Sequence, residues 1–396
     1  MTLEQQMEIL RRGTSEIISE ADLKKKLLSG KKLRVKLGVD PTARSVTLGW
    51  AVVLRKLRDF QRLGHQAVLI VGDFTAMIGD PSGKTKTRPQ LTHEEVLENV
   101  ESVLAQVEAI LDREKTEIRF NKDWLGAMGF EDVIRLTSHY TVARILERDD
   151  FTKRLAENRP ISMHEILYPL CQGYDSVAIE ADVEIGGNDQ KFNNLVGRNL
   201  QEHFGQEPQV VVLCPLLVGT DGKEKMSQSL GNFIGVRDAP NEMYGKTMSI
   251  PDELILNYFE LATDVLEDEI KAITGGGVNP RDSKRRLARE IVELYHGAEA
   301  ALSADDYFIE TFSKKSQPIE AEEREIPPDL PSNFTLSALM VGIGAVKSGG
   351  EAKRLIQSGA VSVNGVKELE IGKVFASGEL NGKILKVGKH SFFKLG

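Results

Sequence analysis

A chain of 396 residues, 41% hydrophobic and 28% charged, has apolar material for a substantial core and a length that suggests two or three domains. It contains no apolar run of membrane-spanning length, and its opening residues (Met1-Thr2-Leu3-Glu4-Gln5-Gln6) are polar and acidic, which argues against a membrane anchor and a signal peptide. The net charge of −8 is uneven: residues 333–396 hold nine Lys/Arg against four acids, so this tail carries about +5 and the remainder about −13. A basic tail on an acidic body points to an RNA contact. The two cysteines, Cys171 and Cys214, stand in apolar surroundings without metal or redox spacing, so buried, reduced thiols of a cytoplasmic protein are expected, with no metal site.

In chain order, residues 3–30 read as an amphipathic helix carried by Leu3, Met7, Leu10, Ile17, Ile18, Leu23 and Leu27. A strand follows at 33–39 and stops at Asp40-Pro41-Thr42, because proline cannot donate to a ladder. A helix is expected at about 48–63, a second strand at 66–71 and a loop at 79–84, with further β-rich runs at 116–120 and 210–214. Strands separated by helices predict a doubly wound parallel α/β sheet, whose ligands lie at strand carboxyl ends, where Asp40 and Asp80 fall. From about residue 239 the pattern turns helical, and a Glu- and Pro-rich stretch then reads as a linker. The expected division is a catalytic nucleotide-binding domain at 1–235, a helical domain at 236–318, a linker at 319–332 and a small basic α+β domain at 333–396.

The most specific local signal is the loop Lys223-Glu224-Lys225-Met226-Ser227-Gln228-Ser229-Leu230-Gly231-Asn232. A lysine on such a loop suits nucleotide chemistry, because charge develops on a leaving pyrophosphate in the transition state; read alone, the segment is more often a solvated charged turn. A second segment, Asp40-Pro41-Thr42-Ala43 with Thr47-Leu48-Gly49-Trp50, opens the first helix after the first strand. Tyr168, Gln172 and Asp175, at i, i+4 and i+7, share one helical face, which suits either a binding site or a plain polar surface.

The two segments together resemble the HIGH and KMSKS signatures of class I aminoacyl-tRNA synthetases. Segments 73–83, 168–175 and 185–190 resemble the tyrosyl member, and segments 350–356 and 361–365 resemble a small RNA-binding module shared with a ribosomal protein. The resemblance implies a ligase that uses ATP with Mg2+ to convert tyrosine to tyrosyl-adenylate and then passes the acyl group to tRNA(Tyr). It also implies an anticodon-region role for the helical domain and a homodimer, with the candidate interface around 130–169. Its residue assignments place Asp80, Tyr168 and Gln172 on the tyrosine ammonium, Asp175 on the phenol, and Gln190 on the tyrosyl carboxylate and α-phosphate. ATP would meet Gly38, Asp40, Thr42, Thr47, Gly49, Gly187, Asp189, Lys225 and Ser229. Thr42 would donate to the γ-phosphate; Lys84, Arg88 and Lys225 would supply charge to the polyphosphate or the tRNA end, and Lys353 and Arg354 would meet tRNA.

Four positions depart from the family pattern. Thr47 and Trp50 replace the two histidines of HIGH, Gln228 replaces the last lysine of KMSKS, and Lys36 stands where some members place a tyrosine against the substrate phenol. Loss of one transition-state donor typically costs about 2.7–4 kcal/mol. These departures raise a second expectation, a catalytically impaired paralogue that binds tyrosine or RNA.

Overall fold

The computed structural model describes residues 1–42, 44–82, 92–313, 321–328, 330–388 and 391–396. They form two compact units, Met1–Ala301 and Leu302–Gly396.

The first unit is built on six strands: β1 (Glu16–Ile18), β2 (Arg34–Val39), β3 (Gln66–Val71), β4 (Thr116–Phe120), β5 (Val183–Gly187) and β6 (Val210–Cys214). Their spatial order is β1-β6-β5-β2-β3-β4, parallel throughout except for β1, which runs antiparallel along β6. The runs in β3 and β6 are apolar and buried on both faces, as a sheet covered by helices on each side requires. From β2 the chain steps outward through β3 to β4, then returns to β5 on the other side of β2. That reversal opens a crevice at the carboxyl ends of β2 and β5.

Two features differ from the expected elements. The segment expected as one helix at 3–30 forms two, Leu3–Arg11 and Glu20–Leu28, with β1 between them. Gly13, at φ +62°, turns the chain, and Ile17 and Ile18 pair with Val212 and Val211 to cover the sheet edge. Strand β5 was not anticipated, because Glu184 and two glycines interrupt its apolar run; Glu184 is buried opposite Lys36 of β2 and ion-paired with it.

The helices Pro240–Met248, Ile255–Ala262, Glu267–Thr274 and Pro280–His296 belong to the same unit. Proline opens the first and last, where its missing N–H costs nothing. Asp264 binds them to the Leu48–Arg62 helix by accepting from Arg55 and Arg58, each at 2.6 Å.

The second unit is α+β. Strands β7 (Glu322–Arg324), β8 (Asn333–Thr335), β9 (Val361–Val363), β10 (Val366–Lys367), β11 (Val374–Ala376), β12 (Ile384–Val387) and β13 (Ser391–Leu395) form a five-stranded sheet, β10-β9-β12-β13-β7, and a β8–β11 pair. Helices Leu336–Gly342 and Gly349–Gln357 share a core with them that includes Leu339, Met340, Ile356, Val361, Leu385 and Leu395. Asn364 and Gly365, both at positive φ, make the tight β9–β10 hairpin. Strand β7 lies inside the stretch expected as linker: it pairs parallel to β13, with Lys394 bonded to Glu323 at 2.7 Å.

Candidate active site

An open cleft of about 570 Å³ lies at the carboxyl ends of β2 and β5, within the range of small-molecule sites. All the residues assigned above to tyrosine or ATP line it, except Lys84, which lies, with Arg88, outside the described residues. Lys353 and Arg354 stand exposed on the Gly349–Gln357 helix of the second unit.

The amino-acid end is built on the Met163–Ala178 helix. Gly173 lets this helix approach its neighbour, Lys191–His203, so closely that a Cβ there would stand 3.0 Å from Leu200 and Val196 side-chain atoms. That packing turns Tyr168, Gln172 and Asp175 toward the cleft. The Tyr168 hydroxyl donates to Asp40 Oδ2 at 2.8 Å, and the Thr75 hydroxyl donates to Asp40 Oδ1 at 2.7 Å. Burial, reinforced by the Asp40 and Asp80 carboxylates, holds the Tyr168 phenol well above its ordinary pKa, so it remains a donor. Asp80 accepts from the Ser82 N–H at 2.8 Å and from Gln190 Nε2 at 2.7 Å, so it both closes a turn and faces the cleft.

Asp175 is buried, yet its two oxygens accept from Trp124 Nε1 at 2.8 Å and Asn121 Nδ2 at 3.3 Å. Burial pushes its pKa up to about 7, against the opposing pull of Lys36 and the two donors. Asn121 also donates to Thr75 at 3.0 Å. One chain of hydrogen bonds, Asp175–Asn121–Thr75–Asp40–Tyr168, therefore runs along the cleft.

At the other end, Gly187 closes β5 and Asp189 follows it, and Asp189 accepts from Lys225 Nζ at 2.7 Å. Thr47 caps the Leu48–Arg62 helix by accepting from the Trp50 N–H at 3.3 Å. Trp50 stands on the cleft wall, and the Gln228 amide donates to the Ser45 carbonyl, tying the 223–232 loop to the segment before Thr47. Thr42 and Ser229 line this end, and Gly38 has open space where a Cβ would stand. At Gly49, by contrast, a Cβ would meet Met226 Cβ at 3.4 Å.

Sequence reasoning missed several contributors. Asn193, buried, donates to Gln172 Oε1 at 3.0 Å and to Gln190 Oε1 at 3.1 Å, which sets both amides; its signal was a polar pair, Asn193-Asn194, set between Phe192 and Leu195. Gly72 was also missed: a Cβ there would overlap the Asp40 carboxylate and the Thr75 hydroxyl. Asn121 and Trp124 left no local signal. Cys171 and Cys214 are both free thiols whose pKa burial pushes up to about 12, and neither takes part in the polar network described above.

A parallel sheet with its cleft at the reversal point, a lysine loop and a capped helix across from it fit a doubly wound nucleotide-binding fold. A family model described as tRNA synthetases class I (W and Y) matches residues 28–313, and one for the S4 domain matches 332–380. The Tyrosine–tRNA ligase of Moorella thermoacetica is 52% identical over 398 residues, covering 98% of this chain and 95% of that protein. That of Thermotoga maritima is 52% identical over 400 residues, covering 100% and 98%. The chain belongs to the tyrosyl-tRNA synthetase family of class I. Among solved structures, a truncated mitochondrial tyrosyl-tRNA synthetase of Aspergillus nidulans shares the fold at a TM-score of 0.66 and 21% identity, covering 78% of this chain and 94% of that one. The Archaeoglobus fulgidus enzyme, solved with L-tyrosine, shares it at 0.64 and 23%, covering 77% and 100%.

Proposed function

We propose that this enzyme, a tyrosine–tRNA ligase, joins tyrosine to ATP within the single cleft and then passes the tyrosyl group to tRNA(Tyr). The observation that carries this reading is the hydrogen-bond chain from Asp175 to Asp40, which links a phenol-accepting end to a nucleotide end. In the first step a tyrosine carboxylate oxygen bonds to the α-phosphorus of ATP and the bond to pyrophosphate breaks. In the second, a hydroxyl of the tRNA terminal ribose attacks the acyl carbon and AMP leaves. Positioning and charge stabilisation do this work without a covalent enzyme intermediate.

Asp80 and Tyr168 take the substrate ammonium with Gln172, Asp175 takes the phenol, and Gln190 orients the carboxylate against the α-phosphate. Asp189 and Gly187 meet the ribose, Gly38 and Gly49 give the nucleotide close backbone approach, and Asp40, Thr47 and Ser229 complete its contacts. Thr42 and Lys225 meet the phosphates, with Lys84 and Arg88 adding charge. ATP brings Mg2+ on its phosphates. Segment 236–318 serves the anticodon region, and 333–396 binds tRNA. A homodimer is supported by Phe130, Ile134, Val142 and Met163, large apolar side chains exposed within 130–169. Among the described residues no helix is long and apolar enough to cross a membrane, and we assign the enzyme to the cytoplasm. Neither the cleft nor the relatives favour the impaired-paralogue reading.

Tyrosine-dependent exchange between ATP and pyrophosphate tests the activity: exchange that requires tyrosine is expected, and its absence at high enzyme concentration with tyrosine still bound would overturn it. Lys353→Ala with Arg354→Ala is expected to leave exchange unchanged and to weaken tRNA binding. The slope of log affinity against log salt should fall by about one for each phosphate that is no longer neutralised; unchanged tRNA affinity and slope would contradict the assignment.

A further inference from the structure

Beneath the amino-acid end of the cleft lies a buried cation that the reaction as described does not use. Lys36 and Glu184 face each other across the β2–β5 ladder and form an ion pair at 2.9 Å, each almost wholly buried. Lys36 Nζ also donates to Ser176 Oγ at 2.8 Å and to the Gln172 carbonyl at 2.9 Å. Its three donors are thus spent on the protein, and none is left for a substrate. Two of its partners, Gln172 and Ser176, bracket Asp175 on the Met163–Ala178 helix, so the ammonium is fixed against the turn that carries the phenol acceptor.

We propose that Lys36 is a specificity-determining positioning residue: its ammonium keeps the neighbouring Asp175 carboxyl in the charged form that demands a hydroxyl donor, and so sets the preference for tyrosine over phenylalanine. The charges that face Asp175 are few. Lys36 comes from β2 and Glu184 from β5; Tyr168 and Cys171 lie on its own helix, and Asn121 and Trp124 donate from beyond β4, with Arg119 over the Trp124 ring. Lys36 is the strongest electrostatic influence favouring the charged form against burial, and Glu184 is a weaker one opposing it. A charged acceptor buried beside phenylalanine would be left without the donor that tyrosine supplies, and that loss penalises the wrong amino acid. Pairing with Glu184 makes Lys36 tolerable in the core; its effect on Asp175 is the functional consequence.

The inference rests on tyrosine occupying this pocket, and the test separates the two claims. Equilibrium binding of tyrosine and of phenylalanine to the full-length protein is measured from about pH 5.5 to about 8.5. In the unmodified enzyme tyrosine binding is expected to tighten as pH rises through about 7, where Asp175 ionises. In Lys36→Met the midpoint moves up by about one pH unit, so at neutrality tyrosine binds about fivefold more weakly, nearing tenfold at the acid end, while phenylalanine binding is not weakened. Much of the tyrosine affinity returns at the alkaline end, which a purely structural defect would not produce. Lys36→Met/Glu184→Gln removes both charges together, avoids an uncompensated buried carboxylate, and is expected to keep the displaced midpoint with an unchanged circular dichroism spectrum. Equal losses for both amino acids at every pH, or a double variant with the original midpoint, would overturn the role of Lys36. An unmodified enzyme that binds no tyrosine would instead refute the assignment of the pocket.

Discussion

Asp175→Asn is expected to weaken tyrosine binding roughly ten- to a hundredfold while leaving phenylalanine almost unaffected, because a hydrogen bond to a charged group is worth about 1.5–3 kcal/mol. The shape of the side chain is retained and Trp124 still has an oxygen to meet, while Asn121 loses its acceptor, so the loss reports on the carboxylate rather than on the packing. The same substitution reports on stability with an opposite sign. The folded-state pKa of Asp175, about 7, lies above the ordinary carboxylate value. The stability this group permits is therefore fully present below the unfolded pKa and declines as pH rises toward about 7. Asp175→Asn removes that decline: denaturant melts should show a gain for the variant above neutrality and almost none near about pH 3, below the unfolded pKa, where both states largely hold the proton. A variant that loses tyrosine binding and is destabilised equally at both pH values would show that Asp175 is a structural residue.

Lys225→Ala is expected to slow tyrosyl-adenylate formation by about 10²–10³-fold with little change in tyrosine affinity, the signature of a donor used only in the transition state. Lys225 is held by Asp189, the same carboxylate assigned to the ATP ribose. Ribose hydroxyls arriving at Asp189 are expected to release the lysine toward the phosphates, where charge develops. The pair is partly exposed, so its loss should move the melting temperature little. Single-turnover rates measured beside tyrosine affinity distinguish this from a binding defect; an unchanged rate would remove Lys225 from the chemistry.

The loop's other anomaly is explained by its surroundings. Gln228 binds the Ser45 carbonyl and so joins the lysine loop to the Thr47 cap, while Trp50 forms part of the cleft wall. Both looked damaging when compared with a consensus one residue at a time. Gln228's partner, more than a hundred positions distant, could not be seen in that comparison.

The same distinction separates what was legible in the chain from what was not. Strands β3 and β6 announce themselves because fully covered parallel strands need continuous apolar runs, and β2 was marked by its apolar alternation and the stop at Asp40-Pro41. The cleft residues stood in short contiguous motifs, since strand ends and helix starts deliver neighbours in sequence to one place. Strand β5 was hidden because its Glu184 is tolerable only opposite Lys36, and pairing across a sheet leaves no local pattern. Asn121 and Trp124 were invisible for a related reason: each is defined by the acceptor it serves on another element. The N-terminal helix was misread where Ile17 and Ile18 satisfied a helical period but met the edge of β6 instead.

The most direct test of this account is a crystal structure of the full-length enzyme with tyrosine and a non-hydrolysable ATP analogue. The phenol oxygen should lie within hydrogen-bonding distance of Asp175, the ammonium beside Asp80 and Tyr168, and the ribose on Asp189 with Lys225 released toward the phosphates. Tyrosine bound with its ammonium at Asp175, or a nucleotide seated away from Asp189 with the Lys225 pair intact, would contradict it.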